Sequence, residues 1–381
     1  MKILHIYSDW KWTGPSEPIL NLCSGLIKSG QVVHLACLQA PTSDSSSRNL
    51  PAKAEESGIK TLLLSPLPKY FPFLAIRQNI KKLAGHIDSE HGFDIIHCHS
   101  SMDHFYAYRI RRHYKNIKII RTNHKGFPLE LSYSNKFLLK YAADGYITLS
   151  KNLAEIDCKN FSLAQESVTA IGGAVDPAPA RRGWVNIRTG LGLKEGDVVV
   201  GVAARVQRHR RFKIIIEAMK LVVKEMPNVK LLIIGRGTHY DELVTKPVKE
   251  LNLGDNVISA GYRNEDYFDI INIFDFGVYL VPGSDGSCRA ALEMMVMGKP
   301  LIVARRGVLP EIVDNNQSGL VIDDTAENLA QAILHLARDK ELVDRFSEQA
   351  RLKMTNEFSQ EVAVKATTDF YHKVMILGKS V

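Results

Sequence analysis

The chain has no apolar run approaching the roughly 20 residues that a membrane-spanning helix needs. Its N-terminus, MKILHIYS, lacks the apolar stretch of a secretory leader, because polar residues interrupt it almost at once, and it reads as a strand. The five cysteines (Cys23, Cys37, Cys98, Cys158 and Cys288) are odd in number, scattered and mostly set in apolar runs. That pattern excludes a disulfide frame or a zinc site and predicts reduced core thiols in a cytoplasmic protein. Stacking aromatics interleaved with basic residues are sparse, which argues against nucleic acid as a partner. No Asp-x-Asp occurs near a strand end to clamp a metal-bound diphosphate, so no metal is expected. A GxGxxG after the first strand is also missing, which counts against a dinucleotide-dependent oxidoreductase.

What is present is a chain of 381 residues, too long for one ordinary core and suited to two α/β domains. A net charge of +8 favours an anionic partner such as a nucleotide or an acidic membrane surface. The basic residues cluster at 109–115, at Arg181-Arg182 and at 205–213. Short β-type runs alternate with helical patterns throughout, the signature of parallel α/β sheets. In the first half the strands are expected at 2–7, 32–38, 61–64, 94–97, 117–121, 145–149 and 168–171. A Gly/Pro/Ala-rich stretch, 172–180, reads as a hinge. The pattern then restarts at 198–203, 229–234, 257–259, 276–280, 300–304 and 319–322, and ends in helical patterns at 326–337, 340–356 and 360–377. Two doubly wound halves of this kind place a ligand in a cleft outside the carboxyl ends of the strands.

The most informative stretch is VPGSDGSCRAALEMMVMGKP, residues 281–300, which sets Asp285 eight positions before Glu293. The loop of small residues offers backbone N–H groups from Gly286, Ser287, Cys288 and Arg289 at a helix start, a ready anion site. Glu293, about two turns into that helix, can accept hydrogen bonds from hydroxyls. Arg205 ends a strand and Arg210 follows across the loop, so two guanidinium groups can neutralise a diphosphate and the charge that grows on it as it leaves. A solvated basic loop is the plainer account of the same run.

Weaker signals lie elsewhere. Gly235 and Gly237 after a strand would let backbone approach a ligand, although a strand-exit turn explains them as well. Tyr262, after Gly261, could form an aromatic wall for a base. Gly14, between the first strand and first helix, permits anion or sugar contact, while Pro15 and Ser16 equally suit an ordinary helix start. His97 and His99 form an HxH at a strand end with no third ligand at suitable spacing, so they read as strand-end histidines and not as a metal site. His124, at the carboxyl end of another strand, can hydrogen-bond a sugar hydroxyl or a diphosphate-linked sugar.

Together these residues resemble the retaining family 4 glycosyltransferases of the GT-B fold, over essentially the whole chain. The family's paired acids, E-x7-E, are matched by Asp285 and Glu293, continuing into Glu-Met-Met-Val-Met-Gly-Lys-Pro. Its G-R-x4-K is similar to Ala204-Arg205 through Arg210, its GGxE to Gly14-Pro15-Ser16-Glu17, and its strand-end histidine to His124. Gly307 through Val313 is similar to its GG-PE-V turn. The resemblance implies an α/β GT-B architecture of two Rossmann-like doubly wound domains. Residues 1–173 would form the acceptor domain and 174–359 the nucleotide-sugar donor domain, with a helix at about 360–381 packing back on the first. It implies that Glu293 holds the donor ribose, that the 286–289 backbone with Arg205 and Arg210 holds the diphosphate, and that Asp285 and His124 face the donor sugar.

Three positions depart from the family pattern. Asp285 replaces a Glu, Arg210 replaces a Lys, and Pro15 replaces a glycine and removes an N–H. The family reading is a front-face displacement in which the donor diphosphate helps deprotonate the acceptor. The expected activity is metal-independent, retaining hexosyl transfer from a nucleotide sugar, UDP-linked in the first instance, to a lipopolysaccharide or related cell-surface glycan. The alternative is an inactive nucleotide-sugar or glycan-binding protein of the same fold. Residues 66–84, PLPKYFPFLAIRQNIKKLA, resemble the basic-aromatic segment with which members acting on lipid-linked acceptors meet an anionic membrane, and they also suit plain packing on the domain.

Overall fold

The computed structural model describes residues 1–12, 14–41, 49–68, 70, 72–181, 185–282 and 286–377. Two parallel sheets organise them. The first contains β1 (Lys2–Tyr7), β2 (Val32–Leu38), β3 (Lys60–Leu64), β4 (Ile95–Cys98), β5 (Lys118–Thr122), β6 (Gly145–Thr148) and β7 (Val168–Ala170), in the order β3-β2-β1-β4-β5-β6-β7. The second contains β8 (Val198–Ala203), β9 (Val229–Ile234), β10 (Val257–Gly261), β11 (Phe276–Tyr279), β12 (Leu301–Ala304) and β13 (Gly319–Ile322), in the order β10-β9-β8-β11-β12-β13. Helices cover both faces of such sheets, so their strands read as unbroken apolar runs. VVVGVA in β8 and VKLLII in β9 are of this kind, and both are almost wholly buried.

The chain divides into two compact units. One comprises Met1–Gly173 with Ser284–Ser287 and Gln360–Val381; the other comprises Ala174–Gly283 and Cys288–Ser359. Where the chain enters and leaves the second unit, Val175 N–H donates to the Phe358 carbonyl at 2.8 Å. The strands expected at 117–121 and 94–97 are observed one residue further on, at Lys118–Thr122 and Ile95–Cys98.

In the first unit the helix Ser16–Lys28 buries Ile19, Leu20, Cys23 and Leu26 along one stripe. The helix Gln360–Ile376 returns to this unit and adds Val364, Phe370, Tyr371 and Val374 to the same core cluster. Burying side chains of that size stabilises by about 1.5–3 kcal/mol each. Gly145 makes the approach possible, since a Cβ there would stand 2.8 Å from Val374 and 2.9 Å from Phe370. All five cysteines are free thiols, four of them buried. Among the described residues no helix is long and apolar enough to cross a membrane.

Candidate active site

In a doubly wound sheet the strand order reverses between two neighbours whose following loops diverge, and that switch point opens a crevice at the strands' carboxyl ends. Here the reversals fall between β1 and β4 and between β8 and β11. Each unit places a distinct set of polar side chains there.

In the second unit Arg205 follows β8 and is exposed. The run after it is mostly neutralised: Arg208 pairs with Glu242 at 3.0 Å, Arg211 with Asp324 at 3.2 Å and Lys213 with Glu217 at 3.8 Å. Arg205 and Arg210 have no carboxylate partner among the described residues. Arg210 instead donates from Nη1 to the Tyr279 hydroxyl at 3.2 Å and to the Val281 carbonyl at 2.9 Å, with its guanidinium 5.8 Å from the Tyr279 ring centre. These bonds brace the fork across the switch point, against the end of β11. Its Nε–H is buried and has no partner. A cation held by neutral groups keeps its full charge for an anion.

Glu293 lies on the helix Arg289–Val296, which starts after Cys288 in a left-handed conformation (φ 50°). It is the fifth residue of that helix, about one turn in and not two, because the helix begins only at Arg289. Its side chain is buried at 6% exposure, yet both carboxylate oxygens are engaged. Oε2 accepts from the Tyr267 hydroxyl at 2.7 Å and Oε1 from Arg289 Nε at 2.6 Å. Burial, reinforced by the adjacent Glu293 charge, holds the Tyr267 phenol well above its ordinary pKa, so it remains a donor. Each carboxylate oxygen can accept a further hydrogen bond, enough for the two hydroxyls of a vicinal diol. Sequence reasoning gave Arg289 only a backbone role; the four-residue spacing to Glu293 was the available signal for the ion pair. Nothing in the sequence pointed to Tyr267. Gly286 (φ 62°), Ser287 and Cys288 lead into this helix, buried. Asp285, with Gly283 and Ser284, lies outside the described residues.

Gly235 and Gly237 have a reason internal to the fold. A Cβ on Gly235 would overlap the Ala204 carbonyl oxygen, and one on Gly237 the Val206 carbonyl oxygen. The chain leaving β9 runs against the chain leaving β8, with Val206 N–H donating to the Arg236 carbonyl at 3.1 Å. The strand-exit account of the two glycines therefore suffices. Tyr262 is 61% exposed, with the Arg236 guanidinium 4.4 Å above its ring.

In the first unit Gly14 and Pro15 lead into the helix Ser16–Lys28, and the Pro15 carbonyl accepts from Ile19 N–H at 3.1 Å. The larger feature was not foreseen. His97 and His99 are joined by His5, which sits on β1 opposite His97 in the parallel register. His5 Nδ1 is 2.9 Å from His99 Nε2, and His99 Nδ1 is 2.8 Å from His124 Nε2. His97 bridges the Tyr371 hydroxyl and Thr122 Oγ1, each at 2.6 Å. Burial, aided by neighbouring positive charge, pushes His5 and His124 down to about 3 and His97 and His99 well below the ordinary histidine range. Part of that charge is the buried Arg121 guanidinium, which bonds the Ser100 and Thr122 carbonyls. All four imidazoles are neutral.

The reading of HxH as lacking a third partner is thus corrected, since His5, His97 and His99 each offer a nitrogen within 4.8 Å of the others. The missing partner came from register across 90-odd residues and not from spacing. Hydrogen bonds already take both nitrogens of His97 and of His99. A second cluster, His34, His86 and Glu90, has Lys2 at 3.0 Å on its carboxylate, with Lys60 beside it. Both sets would have to exchange these partners to hold an ion.

The helix Phe73–Ser89 turns Asn79, Leu83 and Ile87 inward and leaves Phe73 and Leu74 each 75% exposed, beside exposed Arg77, Lys81 and Lys82. Lys69 and Phe71 of the same stretch lie outside the described residues.

Comparison with known proteins places this geometry. Residues 14–179 match the model "Glycosyltransferase Family 4", and residues 186–353 match "Glycosyl transferases group 1". An uncharacterized glycosyltransferase of Methanocaldococcus jannaschii is 22% identical over 329 residues, 79% of this chain and 78% of that protein. The lipopolysaccharide 1,2-N-acetylglucosaminetransferase of Salmonella typhimurium is 23% identical over 289 residues, covering 73% and 70%. N-acetyl-alpha-D-glucosaminyl L-malate synthase of Bacillus anthracis matches over only 44% of its own length, at 25% identity and 45% of this chain. Among solved structures, a glycosyltransferase of Rickettsia africae superposes with a TM-score of 0.82 at 17% identity, over 99% of both chains. HepE of Anabaena, solved in complex with UDP, gives 0.80 at 16%, over 97% of this chain and 99% of that one. With the two family models accounting for both halves, the chain belongs to the family 4 glycosyltransferases of the GT-B fold.

Proposed function

We propose that this glycosyltransferase transfers a hexose-type sugar from a UDP-linked donor, with retention and without a metal, to a lipopolysaccharide or related cell-surface glycan. The observation that carries the reading is the pair Arg205 and Arg210 at the switch point of the second sheet, cations without acidic partners among the described residues. Two such guanidinium groups stabilise a departing nucleoside diphosphate in the role a divalent ion would otherwise take. In the proposed step the acceptor hydroxyl oxygen bonds to the anomeric carbon on the face from which the phosphate oxygen leaves. The hydroxyl proton passes to that departing oxygen. Glu293 receives the ribose hydroxyls, Tyr262 stands beside the base, Asp285 and His124 face the sugar, and the 286–289 segment with Gly14 lines the diphosphate and sugar.

Support for UDP comes from HepE, solved with UDP, and support for the acceptor from the Salmonella relative. Phe73, Leu74 and the neighbouring cations would rest on an anionic membrane at the cytoplasmic face, where a lipid-linked acceptor lies. The test is thermal unfolding with UDP-, GDP- and ADP-sugars, followed by transfer assays. A ligand at 100 times its Kd adds about 2.7 kcal/mol of apparent stability. Protection by UDP-sugars and transfer to a glycan are expected; protection by none of the three classes would reject the reading. Pro15, which brings no N–H to the first helix start, favours one second reading, a binding protein of the same fold without activity. Donor binding with no transfer or hydrolysis across an acceptor panel would establish it.

A further inference from the structure

The chain His5–His99–His124 has a direction. A neutral imidazole carries one N–H and one lone pair, so three of them in series admit two self-consistent proton arrangements. In one, His5 donates from Nδ1 to His99 Nε2, His99 donates from Nδ1 to His124 Nε2, and His124 keeps its proton on Nδ1. In the other every bond is reversed, and His5 carries its proton on Nε2. The ends decide between them. His5 Nε2 is buried and has no partner among the described residues, whereas His124 is only partly buried. A bare lone pair at His5 Nε2 costs less than an orphaned N–H, because buried donors without acceptors are the rarer and costlier case. At His124, half-exposed, the outer nitrogen is open to water or a ligand in either state.

We propose that His5 and His99 are positioning residues that hold His124 as its Nδ1–H tautomer, so that it presents a hydrogen-bond donor and not a base to an oxygen of the ligand. The group recognised is a lone pair on oxygen, from a sugar hydroxyl or a phosphate. Neutrality is maintained by burial and by the Arg121 charge, and the other ionisable neighbours are the buried Asp103, which accepts from the His99 N–H, and His97. That the ligand is a donor sugar rests on the function proposed above; the tautomer itself does not.

The experiment is two-dimensional NMR of the ring nitrogens in the full chain labelled with 15N-histidine. The His124 signals are those absent in His124→Gln, with His124→Asn as a second assignment variant. His124 should be protonated on Nδ1 and bare on Nε2, unchanged from pH 6 to 8. A proton on Nε2, or zinc bound to His5 and His99 in the purified protein, overturns the proposal. Function is read in parallel. His5→Asn can keep an N–H where Nδ1 stood and should retain kcat/KM within about twofold, whereas His5→Asp puts an acceptor in that place, which should draw the His99 proton to its Nε2, move the His124 proton to Nε2 with it, and cost about tenfold, as expected for one hydrogen bond. Equal losses in both variants with the His124 tautomer unmoved would make His5 merely structural and sink the idea. An Nδ1–H tautomer in a protein that uses no nucleotide sugar would uphold the positioning role while rejecting the donor reading.

Discussion

The two sheets share a strand order around their switch points and carry opposite chemistry there. Beside β1 and β4 the groups are four imidazoles held neutral, three of them linked in series by hydrogen bonds and the fourth, His97, bonded to Tyr371 and Thr122. Beside β8 and β11 they are two guanidinium groups without acidic partners among the described residues, and a buried carboxylate shared by a phenol and a third guanidinium. Under the proposed function, the difference teaches how one architecture would divide two tasks. A leaving diphosphate needs full charges held in place, and neutral braces such as Tyr279 and the Val281 carbonyl keep them undiminished. Hydroxyls need direction more than charge, and linked imidazoles supply it.

The comparison breaks most easily at Glu293. Glu293→Ala should lower transfer by about a thousandfold or more, with the fold kept by circular dichroism, because ribose contacts and the Tyr267 acceptor vanish together. Wild-type-like transfer by that variant would remove Glu293 from the site. Next in size is a stability effect with no ligand in it. Gly235→Ala should cost about 3 kcal/mol in urea titration, since the new Cβ meets the Ala204 carbonyl at φ 155°. An unchanged midpoint would return Gly235 to the ligand-contact reading. Arg210→Ala should lower kcat by about a hundredfold, and Arg210→Lys by less, because charge survives while the two-way brace does not. Equal losses would show that geometry, not charge, is what the second unit supplies.

The smallest effect per residue belongs to the neutral set and appears in pH dependence. His5 and His124 titrate at about 3 in the folded protein against about 6.5 when unfolded. Between those values the unfolded chain binds protons that the folded one refuses. Their stability contribution is therefore complete above pH 6.5 and is lost as pH falls toward 3, at up to about 1.4 kcal/mol per pH unit for each. Urea midpoints at pH 7.5, 6 and 5 measure it, and His5→Asn should flatten the slope. A wild-type midpoint that does not fall from pH 6 to 5 would mean that the imidazoles are not held neutral.

The strands were legible because a parallel strand covered on both faces has few polar positions, so runs such as VVVGVA and VKLLII announce themselves. Arg205 and Arg210 stood out as cations following such a run, and Glu293 as the acid in the helix after a loop of small residues. Their partners did not. Tyr267 reaches Glu293 from a helix 26 residues away, and His5 looked like one polar letter inside a core strand until register set it opposite His97. Periodicity reports which face a residue takes; it is silent on which distant residue shares that face. Gly235 and Gly237 left two accounts open, since backbone against backbone leaves the same letters as backbone against ligand.

The helix Gln360–Ile376, which completes the first core and bonds His97 through Tyr371, sets a timetable for synthesis. A ribosome delivers every residue of the first sheet early, yet must translate Ala174 to Ser359 before this helix emerges. At about 5–20 residues per second that delay is roughly 10–40 s. Through it the apolar surface that Phe370, Tyr371 and Val374 cover in the folded unit stands open on the nascent chain.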